Sequence, residues 1–168
     1  MEENVILVDE LDNAIGVMEK MEAHQKGVLH RAFSVFIFNE NGEMLLQQRA
    51  LNKYHSAGLW TNTCCSHPRP NENTLDAANR RLMEEMGIEC ELSHKNHFIY
   101  KSIFENGLIE HELDHVFFGN SNQKPKPNKD EVENYAWMNL KQISSEIEMN
   151  PDRFTTWFKI AMKNLFSF

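Results

Sequence analysis

Short apolar runs closed by turn-forming residues dominate the first third of the chain. Val5, Ile6, Leu7 and Val8 form one such run, ended by Asp9-Glu10-Leu11-Asp12-Asn13 with Gly16 just beyond. This predicts a strand, a turn and a return strand over residues 17–20. A polar connector holding His24 and Gly27 leads to His30, which opens the next apolar run. Residues 32–38, rich in Phe, Val and Ile, and residues 44–48 flank Asn39-Glu40-Asn41-Gly42, the signal of a hairpin turn. Residues 49–58 read as a polar loop. The pattern then changes period. Leu75, Ala78, Leu82 and Met86 recur at spacings of three and four and predict a helix, capped by Asn73 or Thr74 and stopped at Gly87. Residues 91–103 and 109–118 read as strands, 121–129 as a linker rich in Pro, Lys and Asn, 132–138 as a strand and 140–147 as a short helix. A last helix starts at Asn150-Pro151-Asp152, with Trp157, Ile160, Ala161 and Leu165 on its apolar side. With no internal repeat, these elements predict one α/β (α+β) domain over residues 1–168, a mixed sheet with helices packed on it.

Composition narrows the class. The chain has 168 residues, enough to bury a sizeable core, with 41% hydrophobic and 25% charged residues, as in ordinary globular proteins. A net charge of −8 argues against gripping nucleic acid, though a few converging Lys and Arg suffice for a small phosphorylated ligand. Three cysteines, two adjacent, make no disulfide framework and suit a reducing compartment. No apolar run reaches the length of a membrane span, and the opening Met1-Glu2-Glu3-Asn4 is acidic where a signal peptide carries positive charge. These observations predict a cytoplasmic chain with no membrane partner.

The chemistry centres on Trp60-Thr61-Asn62-Thr63-Cys64-Cys65-Ser66-His67-Pro68, which sets a thiol two residues from an imidazole. In a loop beside His67, Cys65 is a candidate reactive thiol; Cys64 reads as a small buried hydrophobe, and Cys90 carries no assignment. His24, His30 and His67, with Glu110 and Glu112, offer nitrogen and oxygen ligands for a divalent ion such as Mn, Zn or Mg. Strand alternation sends Glu110 and Glu112 to one face and His111 to the other. Arg81 and Glu85, four apart, share a face of the predicted helix away from its apolar stripe.

Ser66, five residues, Glu72, seven residues and Arg80-Arg81-Leu82-Met83-Glu84-Glu85-Met86-Gly87-Ile88 resemble the Nudix box. Ser66 stands where the box opens with Gly, and Arg81 where it has a catalytic Glu, which puts hydrolysis in doubt. With the Trp-Thr-Asn…Cys-Ser-His-Pro loop, the run from His30 through Ala32-Phe33-Ser34 and the Glu110/Glu112 pair, the chain resembles the type 1 isopentenyl-diphosphate isomerases, a Nudix-fold family, from about residue 5 to 157. That resemblance implies interconversion of isopentenyl and dimethylallyl diphosphate through a carbocation, feeding isoprenoid biosynthesis. It implies a tight divalent metal at His24, His30, His67, Glu110 and Glu112. A second site is implied at Glu85 and the backbone carbonyl of Cys65, where Mg²⁺ arrives with the diphosphate. Lys20, Arg49, Lys53 and Arg81 are implied around the diphosphate, and Trp157 beside the hydrocarbon. Glu112, helped by Tyr100, is expected as the acid and Cys65 as the base when isopentenyl diphosphate is converted. A Nudix hydrolase acting on another diphosphate, and a structural module with Cys65 and His67 on zinc, are the competing readings. The chain is expected as a monomer or homodimer. His55, His94, His97, His111 and His115 are expected to be structural or solvated.

Overall fold

The computed structural model describes residues 3–166, so Met1 and Glu2 of the acidic opening, and the last two residues, lie outside the described part. Strands β1 (Asn4–Val8) and β2 (Ala14–Glu19) are followed by helix α1 (Lys20–Lys26) and strands β3 (His30–Phe38) and β4 (Met44–Arg49). Two very short strands, β5 (Trp60–Thr61) and β6 (Cys64–Ser66), precede helix α2 (Thr74–Met86). Strands β7 (Leu92–Ile103), β8 (Ile109–Asn120) and β9 (Val132–Met138) then lead to helix α3 (Leu140–Met149), a 3₁₀ turn at Pro151–Arg153 and helix α4 (Thr156–Leu165). No described helix is long and apolar enough to cross a membrane.

The most hydrophobic run, β3, is the axis of a nine-stranded mixed sheet. It pairs in parallel with β8 along its whole length, from His30↔Glu112 to Phe38↔Asn120, and antiparallel with β6 through Phe33↔Ser66, Ser34↔Cys65 and Val35↔Cys64. Alternation divides its side chains between two cores. Phe33, Val35 and Ile37 pack with Leu82 and Met86 of α2, while Phe36 packs with Ile143 of α3 and Phe158 and Met162 of α4. Phe33 and Phe36 are wholly buried, each worth about 1.5–3 kcal/mol relative to an exposed ring. The expected sheet sandwiched by helices is therefore present. Toward its start, β3 carries His30 and Ser34, facing the same way as Glu112 and Asp114 of β8.

Helix α2 starts and stops where its sequence directs. Asn73 accepts from Leu75 N and Asp76 N, and Gly87 closes the helix at φ 65°. Leu75, expected in the apolar stripe, is 38% exposed; Ala77, Ala78, Leu82 and Met86 form the buried face. The residue 121–129 linker is not loose, because Lys126 N and Asn128 N donate to the carbonyls of Met86 and Glu85 in the last turn of α2.

Three expectations are corrected. His24 sits in helix α1, not in a polar connector, because the Glu19 carboxylate accepts from Met21 N and Glu22 N and nucleates a turn. Cys65 lies on strand β6, not in a loop. The helix expected from Pro151 is interrupted: Thr155 N donates to Trp60 O, Phe154 bridges Trp60 as extended chain, and Thr155 then caps α4 afresh.

Candidate active site

Short local devices aim the imidazoles. Helix α1 turns His24 inward, and its Nδ1 lies 2.6 Å from Lys20 O; His30 Nδ1 lies 2.9 Å from Val28 O. A carbonyl only accepts, so each Nδ1 carries the proton and each Nε2 keeps its lone pair. His67 Nε2 lies 3.0 Å from Glu112 Oε1, and His30 Nε2 3.4 Å from the same oxygen. Ligand atoms of His24, His30, His67 and Glu112 all fall within 4.8 Å of one another. Glu110, the fifth expected ligand, groups instead with His24 and with His55. Among the described residues, His24 Nε2, His30 Nε2 and Glu110 Oε2 are buried with no hydrogen-bond partner. Converging orphaned lone pairs on nitrogen and oxygen, with backbone carbonyls fixing the ring tautomers, fit a divalent cation. Burial pushes His24 down and His67 down to about 4, keeping both rings neutral. Burial and the charge of Glu112 hold Glu110 well above the usual carboxylate range. Burial would raise Glu112 too, while the hydrogen bond from His67 Nε2 favours its ionised form.

Strand register brings two groups able to carry a proton to β3 from either side. On β7, Tyr100 pairs with Glu112, and its hydroxyl donates to Glu112 Oε2 at 2.8 Å, with Glu110 Oε1 at 3.3 Å. On β6, Cys65 donates to Asn62 Oδ1 at 2.9 Å and lies 3.5 Å from Ser34 Oγ, which donates to Asp114 Oδ2 at 2.7 Å. The enclosing protein and then the Asp114 charge push the Cys65 thiol well up. The thiolate expected of a base is thus the form this site disfavours. Cys64 is not merely apolar: its thiol donates to Glu85 Oε2 at 2.6 Å, and burial raises that carboxyl.

Cations line the other side of the same cavity, whose volume is about 100 Å³. Arg81 pairs with Glu85 at 3.1 Å and Glu84 at 2.7 Å; Lys53 pairs with Glu131 and Lys20 with Glu3. Among the described residues, Arg49 Nε and Arg81 Nε are buried donors without a partner, as an anion site requires. The Arg49 guanidinium sits 5.1 Å over the ring of Trp157, which is 4% exposed. His55 meets that indole edge-on at 5.8 Å and stacks on Phe104 at 4.6 Å. Burial, and then Arg49, push its imidazole down to about 3.

The NUDIX domain family model matches residues 28–158. An isopentenyl-diphosphate Delta-isomerase of Aromatoleum aromaticum is 50% identical over 99% of this chain and 88% of its own length. One from Serratia proteamaculans is 52% identical over 98% and 92%. The chain belongs to the isopentenyl-diphosphate isomerase family. The crystal structure of a Deinococcus radiodurans protein shares the fold at a TM-score of 0.79 and 16% identity, covering 98% of this chain and all of that one. A MutT protein structure from Methanosarcina mazei does so at 0.67 and 22%, covering 81% and 91%.

In this isomerase-family chain the Nudix-box carboxylates are dispersed. Glu72 binds Arg80 through two 2.8 Å bonds and locks the loop before α2, Glu84 is 40% exposed on the far side of Arg81, and Arg81 itself is basic. Among the described residues only Glu85 of the box carboxylates lines the cavity. Sequence reasoning missed Asp114, which extends the alternation of Glu110 and Glu112 by one step and could have been found that way. It also set aside His55 and left out Tyr54 and Glu131, all on the cavity wall. They come from the 49–58 loop and the end of a linker, where no periodicity marks an inward side chain.

Proposed function

We propose that this chain interconverts isopentenyl and dimethylallyl diphosphate in the cytoplasm by adding a proton to the alkene terminus and removing one from the carbon next to the one that bears the diphosphate. The observation that carries this reading is the joint exposure of Cys65 and the Tyr100-backed Glu112 to one cavity rimmed by Arg49, Lys53, Arg81 and Lys20. The four cations hold the diphosphate, and its charge offsets theirs as the Glu3 and Glu131 pairs do without it. His24, His30, His67 and Glu112, with Glu110 alongside, would hold Mn²⁺, Zn²⁺ or Mg²⁺. Glu85 and the Cys65 carbonyl would hold the Mg²⁺ that accompanies the substrate. Bound there, the cations supply positive charge that acidifies attached groups and neutralises phosphate.

Protonating an unactivated alkene gives a tertiary carbocation, so the pocket must exclude water and face the cation with electron density. The face of Trp157 supplies that density, worth about 2 kcal/mol when desolvated. Cys65 and Glu112 exchange the two protons. Cys65 stands on one side of the cavity and Glu112, backed by Tyr100, on the other, so one delivers a proton to the isopentenyl isomer and the other collects one. In the return direction the roles exchange.

Proton and phosphorus NMR of isopentenyl diphosphate with Mg²⁺ in D₂O tests the reading. New allylic methyl signals carrying deuterium, with both phosphorus resonances intact, are expected; release of free phosphate would make the chain a hydrolase instead. Cys65→Ala and Glu112→Gln should each slow turnover by about 10²- to 10⁴-fold, and full turnover in both would remove the two-carrier mechanism.

A further inference from the structure

A second imidazole cluster lies away from the cavity. Strand alternation puts His115 on the face of β8 opposite Glu112 and Asp114, and on the neighbouring strand His97 is its direct cross-strand partner. His94 and His97 are three residues apart, a spacing that puts side chains on opposite faces of a regular strand. The register shift between His94 and Asn96 inserts one extra residue and brings both rings to the His115 side. The centroids of His94 and His97 lie 5.1 and 5.5 Å from that of His115. One nitrogen from each of the three rings falls within 4.8 Å of the others, and His94 Nε2 lies 2.9 Å from His115 Nδ1.

The remaining nitrogen of His115 is already spoken for. His115 Nε2 lies 2.8 Å from Asp12 Oδ2, and Asp12 is held in turn by Arg31 through Oδ1 at 2.7 Å and its carbonyl at 2.8 Å. A carboxylate that takes the outer N–H of an imidazole fixes its tautomer and leaves the inner nitrogen with its lone pair, the support that metal-binding histidines ordinarily have.

We propose that His94, His97 and His115 form a second metal site, on the sheet face away from the catalytic cavity, for Zn²⁺ or a borderline relative such as Ni²⁺ or Cu²⁺. Imidazoles alone suit these cations and not Mg²⁺. Zinc–nitrogen bonds of 2.0–2.1 Å in tetrahedral geometry would hold two ring nitrogens about 3.3 Å apart, so His94 and His115 need part by only a few tenths of an ångström. His94 and His97 are exposed, so the fourth position opens to solvent, where a water or an incoming carboxylate completes the coordination. Burial keeps His115 below its ordinary pKa, so it is neutral and available at pH 7. The ion would tie the β1–β2 turn, through Asp12, to the bulged β7 edge.

The test is calorimetric titration of the full chain, freed of metal by chelation, with Zn²⁺. Wild type should take one equivalent more than His94→Ala/His97→Ala, whose isomerase turnover should be unchanged. His67→Ala, which weakens the cavity site, should keep the extra equivalent. Asp12→Asn should retain the site with affinity lowered about 10- to 100-fold. Ring ¹⁵N resonances of His94, His97 and His115 should shift together as that equivalent binds. Equal stoichiometry in wild type and the double variant, or the three ring signals unmoved by millimolar Zn²⁺, would overturn the site.

Discussion

Asp114 lies one hydroxyl away from the Cys65 thiol, and its charge adds to burial in opposing ionisation of Cys65. Ser34 donates to Asp114 Oδ2, lies 3.5 Å from Cys65 Sγ, and leaves the thiol hydrogen for Asn62. Because the Asp114 charge raises the thiol, Asp114→Asn should make Cys65 more acidic. Iodoacetamide alkylation followed against pH should show its inflection at lower pH than in wild type. An unmoved profile would leave Asp114 a packing role only. At this scale the sequence was informative where a motif or an alternation marked the residue. Cys65, His67, Glu110 and Glu112 stood out, and Asp114 lay one step further along the same face. His55 did not, since a loop side chain points inward only because Phe104, Trp157 and His24 arrive from other elements.

Helix α2 holds Arg81 and Glu85 at the cavity by its two ends. Removing the Asn73 cap with Ala should cost about 1 kcal/mol. Gly87→Ala should cost more, about 1–2 kcal/mol from the left-handed backbone alone, because a Cβ there would also meet Lys126 Cβ at 2.8 Å and Lys126 O at 3.0 Å. Denaturant midpoints should fall for both, further for Gly87→Ala; equal midpoints for wild type and Gly87→Ala would mean that the 121–129 linker yields freely. Both ends of α2 were legible because they use Asn and Gly in their commonest capping roles. Helix α1 was not: its seven residues bury only Ala23 and His24, and its cap is Glu19, outside the usual set of short polar side chains. Strands β5 and β6 are two and three residues long, too short for any alternation to register. Long-range pairing with β4 and β3 makes them strands.

A chain of net charge −8 that gathers Glu110, Glu112, Asp114 and Glu85 indoors needs cations to be at ease. Glu110 is raised well above its ordinary value, so it holds a proton where a free glutamate would not, and a metal ligand must give that proton up. Divalent metal binding should therefore release protons near neutral pH and weaken as pH falls. Titration calorimetry in two buffers of different ionisation enthalpy should give different apparent heats; identical heats would take Glu110 out of the ligand set. The position of Arg49 has a further result for selectivity. An aromatic face accommodates one cation at a time, and in the free protein the Arg49 guanidinium covers that of Trp157. Only a ligand carrying negative charge of its own can draw Arg49 toward itself and leave the indole open to a cationic carbon. Inorganic diphosphate alone should thus alter Trp157 fluorescence, read against Trp157→Phe, while the parent alcohol without phosphates should not. The tail that never reacts acts as the key to the end that does.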